Sequence, residues 1–205
     1  VALSSTCLGL RTPLRAALKV LRPRHEKAKA LGRKGGKKIR LTGGSSGWWR
    51  SPMTCAELRD AELLEWHETG LSADDMATLG LILPWIPRLK KLSLFDNRFG
   101  DAGMQALFEG LGRGAAPSLC YLGCGDNQFG AAGAEALAAA LSRGAMPKLA
   151  ELHFGENDIR DQGVAALAPA LKKLPALLHL DLGECGMGDA GVASLLHNLG
   201  KDDFK

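Results

Sequence analysis

From about residue 61 onward, the apolar positions of this chain recur at fixed offsets. Leu89-x-x-Leu92-x-Leu94-x-x-Asn97 is followed by Leu119-x-x-Leu122-x-Cys124-x-x-Asn127. Leu149-x-x-Leu152-x-Phe154-x-x-Asn157 and Leu177-x-x-Leu180-x-Leu182-x-x-Cys185 complete the series. A degenerate copy, Ala61, Leu64, Trp66 and Thr69, precedes them, and the copies start 28, 30, 30 and 28 residues apart. Alternation predicts a short strand in each copy, with Leu92 and Leu94 facing inward. Each copy then adds an apolar residue (Leu71, Phe99, Phe129, Ile159, Met187) and, four residues on, a Gly (Gly103, Gly133, Gly163, Gly191; Asp75 in the first). Helix-period apolar residues follow, such as Ala134, Leu137, Ala138 and Leu141. One such unit cannot bury its own apolar face, so the copies must stack, and an Asn at each turn can bond the backbone of the neighbouring turn.

Leucine at these offsets, five times over, resembles the leucine-rich repeat. The 28/30 alternation and the Asp-x-Gly before the helix are similar to its ribonuclease-inhibitor subtype, found also in the Ran GTPase-activating protein and the NOD-like receptors. The resemblance covers residues 61–205. It implies an α/β fold: a right-handed solenoid with parallel strands on the concave side, helices on the convex side and a role in binding. Cys124 and Phe154 replace core Leu, and Cys185 replaces a ladder Asn, so both cysteines are read as structural. Thr54-x-x-Glu57 matches a capping box and predicts a capping helix over 54–65, in competition with the first strand. The final strand, 179–183, has no capping segment after it, and a bare sheet edge invites either a longer natural chain or a partner.

The region before the repeats differs in kind. Residues 1–50 hold 13 Lys/Arg and one acid, Glu26, a net +12, whereas the remaining 155 carry 13 bases and 21 acids, a net −8. Such asymmetry marks a basic arm on an acidic body. Residues 1–60 are therefore expected to form a basic extension. Within it, Thr12-Pro13 opens a short amphipathic helix over about 13–22, with Leu14, Ala17, Leu18 and Leu21 on one stripe and Arg15, Lys19 and Arg22 off it. Arg33, Lys34, Lys37, Lys38 and Arg40 lie in a Gly/Lys/Arg-rich stretch, 24–50, expected to be a flexible linker ending in Trp48-Trp49. The glycines there lack phosphate-loop spacing.

No stretch is long and apolar enough for a membrane span. Five cysteines without a C-x-x-C pair argue against a disulfide or zinc scaffold and for an intracellular compartment. The acid-poor, Ser/Arg-rich start resembles part of a mitochondrial or plastid transit sequence; otherwise a cytoplasmic location is expected. Val1 in place of Met suggests a fragment or a processed product.

Aligned copies predict columns across the strands. The residues just before the ladder position, Glu68, Asp96, Asp126, Glu156 and Glu184, are all acidic and are expected to be exposed on the concave face. A second column reads Glu65, Ser93, Gly123, His153, Asp181, and a third Leu63, Lys91, Tyr121, Glu151, His179. Glu68, Asp96, Asp126, Glu156, Glu184, Tyr121, His153 and Asp181 form the expected partner-binding surface. Stacked carboxylates repel one another and favour a cationic partner. His153 beside Asp181 and His179 beside Glu151 have metal-ligand chemistry, but ordinary exposed polar residues are the simpler reading, so no metal or cofactor is expected. His67 and His197 look isolated. No catalytic motif is present. The expected function is therefore a non-catalytic protein-interaction module, a scaffold subunit of a larger assembly. Two alternatives remain: an RNA- or ribonucleoprotein-associated protein held by its basic arm, with Trp48 and Trp49 stacking on bases, and a small-GTPase regulator.

Overall fold

The computed structural model describes residues 26–34, 37–40, 48–51 and 54–199. Helix α1 covers 26–34, and strands β1 (Lys37–Arg40) and β2 (Trp48–Ser51) pair antiparallel. Helix α2 (Cys55–Arg59) and strand β3 (Leu63–Glu65) follow. The chain then alternates: α3 (Ala73–Ile82), β4 (Lys91–Ser93), α4 (Gly100–Phe108), β5 (Tyr121–Gly123), α5 (Ala131–Ser142). It ends with β6 (Glu151–His153), α6 (Arg160–Leu171), β7 (His179–Asp181) and α7 (Asp189–Asn198). Strands β3 to β7 form one parallel sheet in sequence order, and from α3 to α7 each helix packs on the next. No helix among the described residues is long and apolar enough to cross a membrane.

The register follows the repeat alignment. Leu64, Leu92, Leu122, Leu152 and Leu180 sit opposite one another across the sheet. Leu92, Leu122 and Leu152 are fully buried between sheet and helices, as are Leu94, Cys124 and Phe154 two residues on. Phe129 meets Phe154 edge to face, 5.0 Å between centroids, a favoured aromatic geometry. Burial is incomplete in the last copy. Leu180 and Leu182 are partly exposed, Leu178 is 78% exposed, and the layer from Leu174 to Leu195 borders an open cavity of about 1020 Å³.

The turns are locked by the ladder residues. Asn97 Oδ1 accepts from the Thr69 and Leu71 amides at 3.0 and 3.1 Å, while its Nδ2 donates to Trp66 O and Leu94 O at 2.7 and 2.8 Å. Asn127 repeats the pattern one copy on, accepting from Asn97 N (3.0 Å) and donating to Leu94 O and Cys124 O (2.9 and 3.0 Å). Asn157 accepts from Asn127 N (3.0 Å) and donates to Cys124 O and Phe154 O (3.1 and 2.9 Å). All three are buried, and each amide serves two adjacent copies at once. Cys185 donates to the Leu182 and Gly183 carbonyls of its own copy; a thiol has no amide oxygen with which to reach back.

The Asp of the Asp-x-Gly motif does something the sequence did not suggest. Asp101 Oδ1 accepts from the Gly130 and Gly133 amides at 2.8 and 2.7 Å, capping α5 of the next copy rather than its own helix. Asp161 does the same for Gly188 and Gly191 at the start of α7, at 2.7 and 2.8 Å. Neither α5 nor α7 has a side-chain cap of its own. A carboxylate is favoured beside the positive end of a helix and satisfies otherwise orphaned N–H groups.

The N-terminal region departs from expectation in two places. The capping box is present, Thr54 with Glu57, but the helix it opens ends at Arg59, so helix and first strand coexist. The stretch expected as flexible linker includes helix α1 and the β1–β2 pair. Leu31 gives α1 an anchor, being 1% exposed and part of the main core, and Lys34 pairs with Asp75 at the start of α3. Burial raises the Asp75 carboxyl, but hydrogen bonds from Lys34 and Ser72 outweigh it and hold it below its ordinary value. The expected helix over 13–22, with Arg15, Lys19 and Arg22, lies outside the described residues.

Two substitutions test this account. Leu152→Ala should cost roughly 2–5 kcal/mol in urea unfolding, because it empties a close-packed site. Asn127→Ala should cost about 2–4 kcal/mol, since it strands buried backbone groups in two copies. Asn127→Cys should cost less than Asn127→Ala, because a thiol keeps the bonds within its own copy.

Candidate functional site

The sheet face away from the helices carries the residues that alternate with the buried ones. Register places Lys91, Tyr121, Glu151 and His179 side by side, and Ser93, Gly123, His153 and Asp181 in the adjacent column. Rings fill much of this face. His153 lies 4.9 Å from Tyr121 and 4.8 Å from His179, both tilted, and 6.5 Å edge-on from Phe95. Phe95 continues to His67 at 5.4 Å. Tyr121, His153, Phe95 and His67 are half-buried, and His179 is exposed.

The charges around this band are mixed. Lys91 Nζ sits 4.5 Å above the Tyr121 ring and 3.4 Å from Glu65. His153 Nδ1 is 3.5 Å from Asp181 and Nε2 is 3.7 Å from Glu151; Nε2 is buried without a hydrogen-bond partner. Burial, and then the nearby Glu151 carboxylate, raise the Tyr121 hydroxyl above its ordinary value. The four polar groups seen as possible metal ligands are neighbours, but among the described residues no cluster of three or more His, Cys, Asp or Glu is arranged to hold a metal ion.

The acidic column lies one step beyond the strands. Glu68, Asp96, Asp126, Glu156 and Glu184 all have left-handed backbone, φ between 50° and 59°. They occupy the turn that carries each strand toward its helix. Their amides stay in the ladder: Asp96 N donates to Gly125 O, Asp126 N to Gly155 O and Glu156 N to Gly183 O, at 3.2, 3.1 and 2.8 Å. The row is thus pinned at the repeat spacing. Glu68, Glu156 and Glu184 are exposed, whereas Asp96 and Asp126 are half-buried, their shorter side chains staying close to the turn.

Two aromatic-band members were missed by the sequence columns. His67, read as isolated, contacts Phe95 and lies 2.8 Å from the Ser93 hydroxyl. Phe95 belongs to a fourth column with Gly125, Gly155 and Gly183, and its ring occupies the space above Gly123 and Gly125. The signal was in that same column, where His67 and Phe95 are followed by three glycines. His197, in the last turn of α7, is exposed and away from the strands. Of the basic residues, Arg33 and Lys34 are on α1, and Lys37, Lys38 and Arg40 are on β1, where Arg40 pairs in register with Trp48 and Ile39 with Trp49.

A leucine-rich-repeat family model matches residues 87–108, 145–168 and 173–196. Each stretch contains one strand and the greater part of its helix, and the geometry extends the same unit to the copies whose strands begin at Leu63 and Tyr121. Match and fold together support a leucine-rich-repeat protein with an α/β solenoid of parallel strands and helices. Such repeats generally mediate protein–protein interaction and are typically non-catalytic. No curated protein matches the chain.

Cys124 and Cys185 are buried and play no part in this face. Burial alone drives the Cys124 thiol far up, and burial with the nearby Asp181 raises Cys185 to about 11. A thiol raised in this way stays protonated and unreactive at neutral pH. Iodoacetamide at pH 7.5 (about a unit below a free thiol) should spare Cys124 and Cys185 in the folded chain and label both in urea. Labelling of Cys185 should appear only as the pH approaches about 11.

Proposed function

We propose that this chain is a non-catalytic interaction module, a scaffold subunit of a larger assembly whose concave strand face takes a basic segment of a protein partner. The observation that carries the reading is the row Glu68, Asp96, Asp126, Glu156 and Glu184, held in register on five left-handed turns beside an aromatic and imidazole band. A row of like charges at repeat spacing is matched by an extended cationic chain, and neighbouring rings add contact area. Tyr121, His153 and Asp181 are the band's contribution to that surface. The 28/30 spacing supports the right-handed, ribonuclease-inhibitor-like subtype over 61–205, with residues 1–60 as its basic extension. Cysteines used as core and ladder residues fit an intracellular, reducing compartment.

RNA bound through the basic extension is the second reading. It is supported by the β1–β2 pairing, which sets the Lys37–Arg40 strand beside the Trp48–Ser51 strand. A steep loss of RNA binding with salt, retained in the repeat-face variants below, would favour it.

The test of the main reading is the triple variant Asp96→Asn, Asp126→Asn, Glu156→Gln. Shape is kept and three charges go, and Asn suits left-handed backbone at least as well as Asp. The fold should survive with equal or higher stability, since repulsion along the row falls. Association with a lysine-rich peptide should slow and lose most of its dependence on salt between low ionic strength and about 0.3 M. Unchanged binding at low salt would remove the row from the interface.

A further inference from the structure

The column that opens with His67 and Phe95 runs out of side chains. Its later members are Gly125, Gly155 and Gly183, and the Phe95 ring covers only the first; a Cβ on Gly125 would fall 2.6 Å from a Phe95 carbon. Above Gly155 and Gly183 no ring stands, and a Cβ on Gly155 would meet the Gly183 carbonyl oxygen at 3.1 Å. The side-chain atoms closest to a Cβ at either position are the Asp181 carboxylate oxygens, at 3.5 and 3.2 Å. Gly155 is half-buried and Gly183 exposed. The result is a slot with a backbone floor, between His153 and Asp181 in one column and Glu156 and Glu184, the next residues along the chain.

We infer that this slot is an arginine subsite: it receives the guanidinium of an arginine from the basic partner. The inference rests on the interaction reading above and adds to it a choice among cations. Asp181 spends Oδ1 on the Gly183 amide at 2.9 Å and keeps Oδ2 free of that bond, 3.5 Å from His153. Among the described residues no Lys or Arg pairs with Asp181, Glu156 or Glu184, and Lys91, which lies on the same face, is committed to Glu65 and the Tyr121 ring. The carboxylates turn away phosphate and other anions. A bare peptide floor beside imidazole and phenyl rings accommodates a flat group. Guanidinium is planar and stacks on rings, and its fork of donors matches a carboxylate; an ammonium is a compact, strongly hydrated point charge that does neither. Lysine would gain from the charge of the row but not from the shape of the slot.

Hepta-arginine and hepta-lysine carry the same charge and separate the two ideas. Their affinities for the full chain are measured by calorimetry at low salt. Both should bind, with hepta-arginine tighter by about tenfold. Asp181→Asn keeps an oxygen for the Gly183 amide, and Gly183→Leu fills the slot without removing charge. Gly183→Leu should bring the arginine preference to near unity while changing hepta-lysine affinity by no more than about twofold. Asp181→Asn, which removes a charge that both peptides use, should weaken both but hepta-arginine more, so that the preference again falls to near unity. Circular dichroism checks the fold of both, and Asp181→Asn alone decides if Gly183→Leu does not fold. Equal affinity of the unaltered chain for the two peptides overturns the subsite and leaves the acidic-row reading standing. So does an arginine preference that persists in the variants. Failure of both peptides to bind overturns the row and the subsite together.

Discussion

The amide side chain of the ladder Asn is the interaction on which the rest depends. Each of Asn97, Asn127 and Asn157 closes its own turn and at the same time bonds the backbone of the preceding copy. Donor and acceptor on one rigid group make that double duty possible. The turns lie away from the strand hydrogen bonds, so without such a group their buried carbonyls and amides would have no partners. The stack is therefore held at two levels, by apolar contact in the core and by a polar spine along one edge. Where Cys185 replaces the Asn, bonds to its own copy remain, in the same copy whose Leu180 and Leu182 are partly exposed.

That spine also determines what the surface can display. Closing the turn requires a left-handed residue immediately before the ladder position, and in this chain that residue is acidic in all five copies. In the first four copies its amide continues the inter-copy ladder, so the carboxylates cannot drift apart to relieve repulsion. The same regularity stacks the rings of Tyr121, His153 and His179 on neighbouring strands, which are about 4.8 Å apart and bring the ring centroids to 4.9 and 4.8 Å. Structural repetition thus converts modest side chains into an extended surface of one sign, bordered by aromatic area. The helix layer is tied by a related device, Asp101 and Asp161 each capping the following copy's helix.

Much of this was legible in the chain. Leucine spacing determined strand positions, register and the buried set, because in a stacked repeat the neighbour of each residue is its own counterpart one period away. The acidic row and the juxtapositions of His153 with Asp181 and of Glu151 with His179 followed from the same alignment. Contacts that break the period did not. Phe95 fills space vacated by glycines of the next copy, His67 reaches across columns to Ser93, and Asp101 serves a helix about thirty residues away; each depends on the distance and angle between copies.

The N-terminal region shows the division most clearly. Charge and glycine content alone describe residues 24–50 as a solvated linker, and locally nothing contradicts that. A single leucine changes the outcome: Leu31 has a core to enter, and Lys34 has Asp75 to meet, only once the repeats are stacked. The sequence by itself determined the repeat unit, its period and the acid at every turn, since these are local patterns multiplied by copying. The tertiary structure alone decided the left-handed turns that aim the acids, the aromatic band with its bare glycine floor, and the docking of α1. The physical reason is that burial and close approach are properties of pairs of copies, and no single copy contains them.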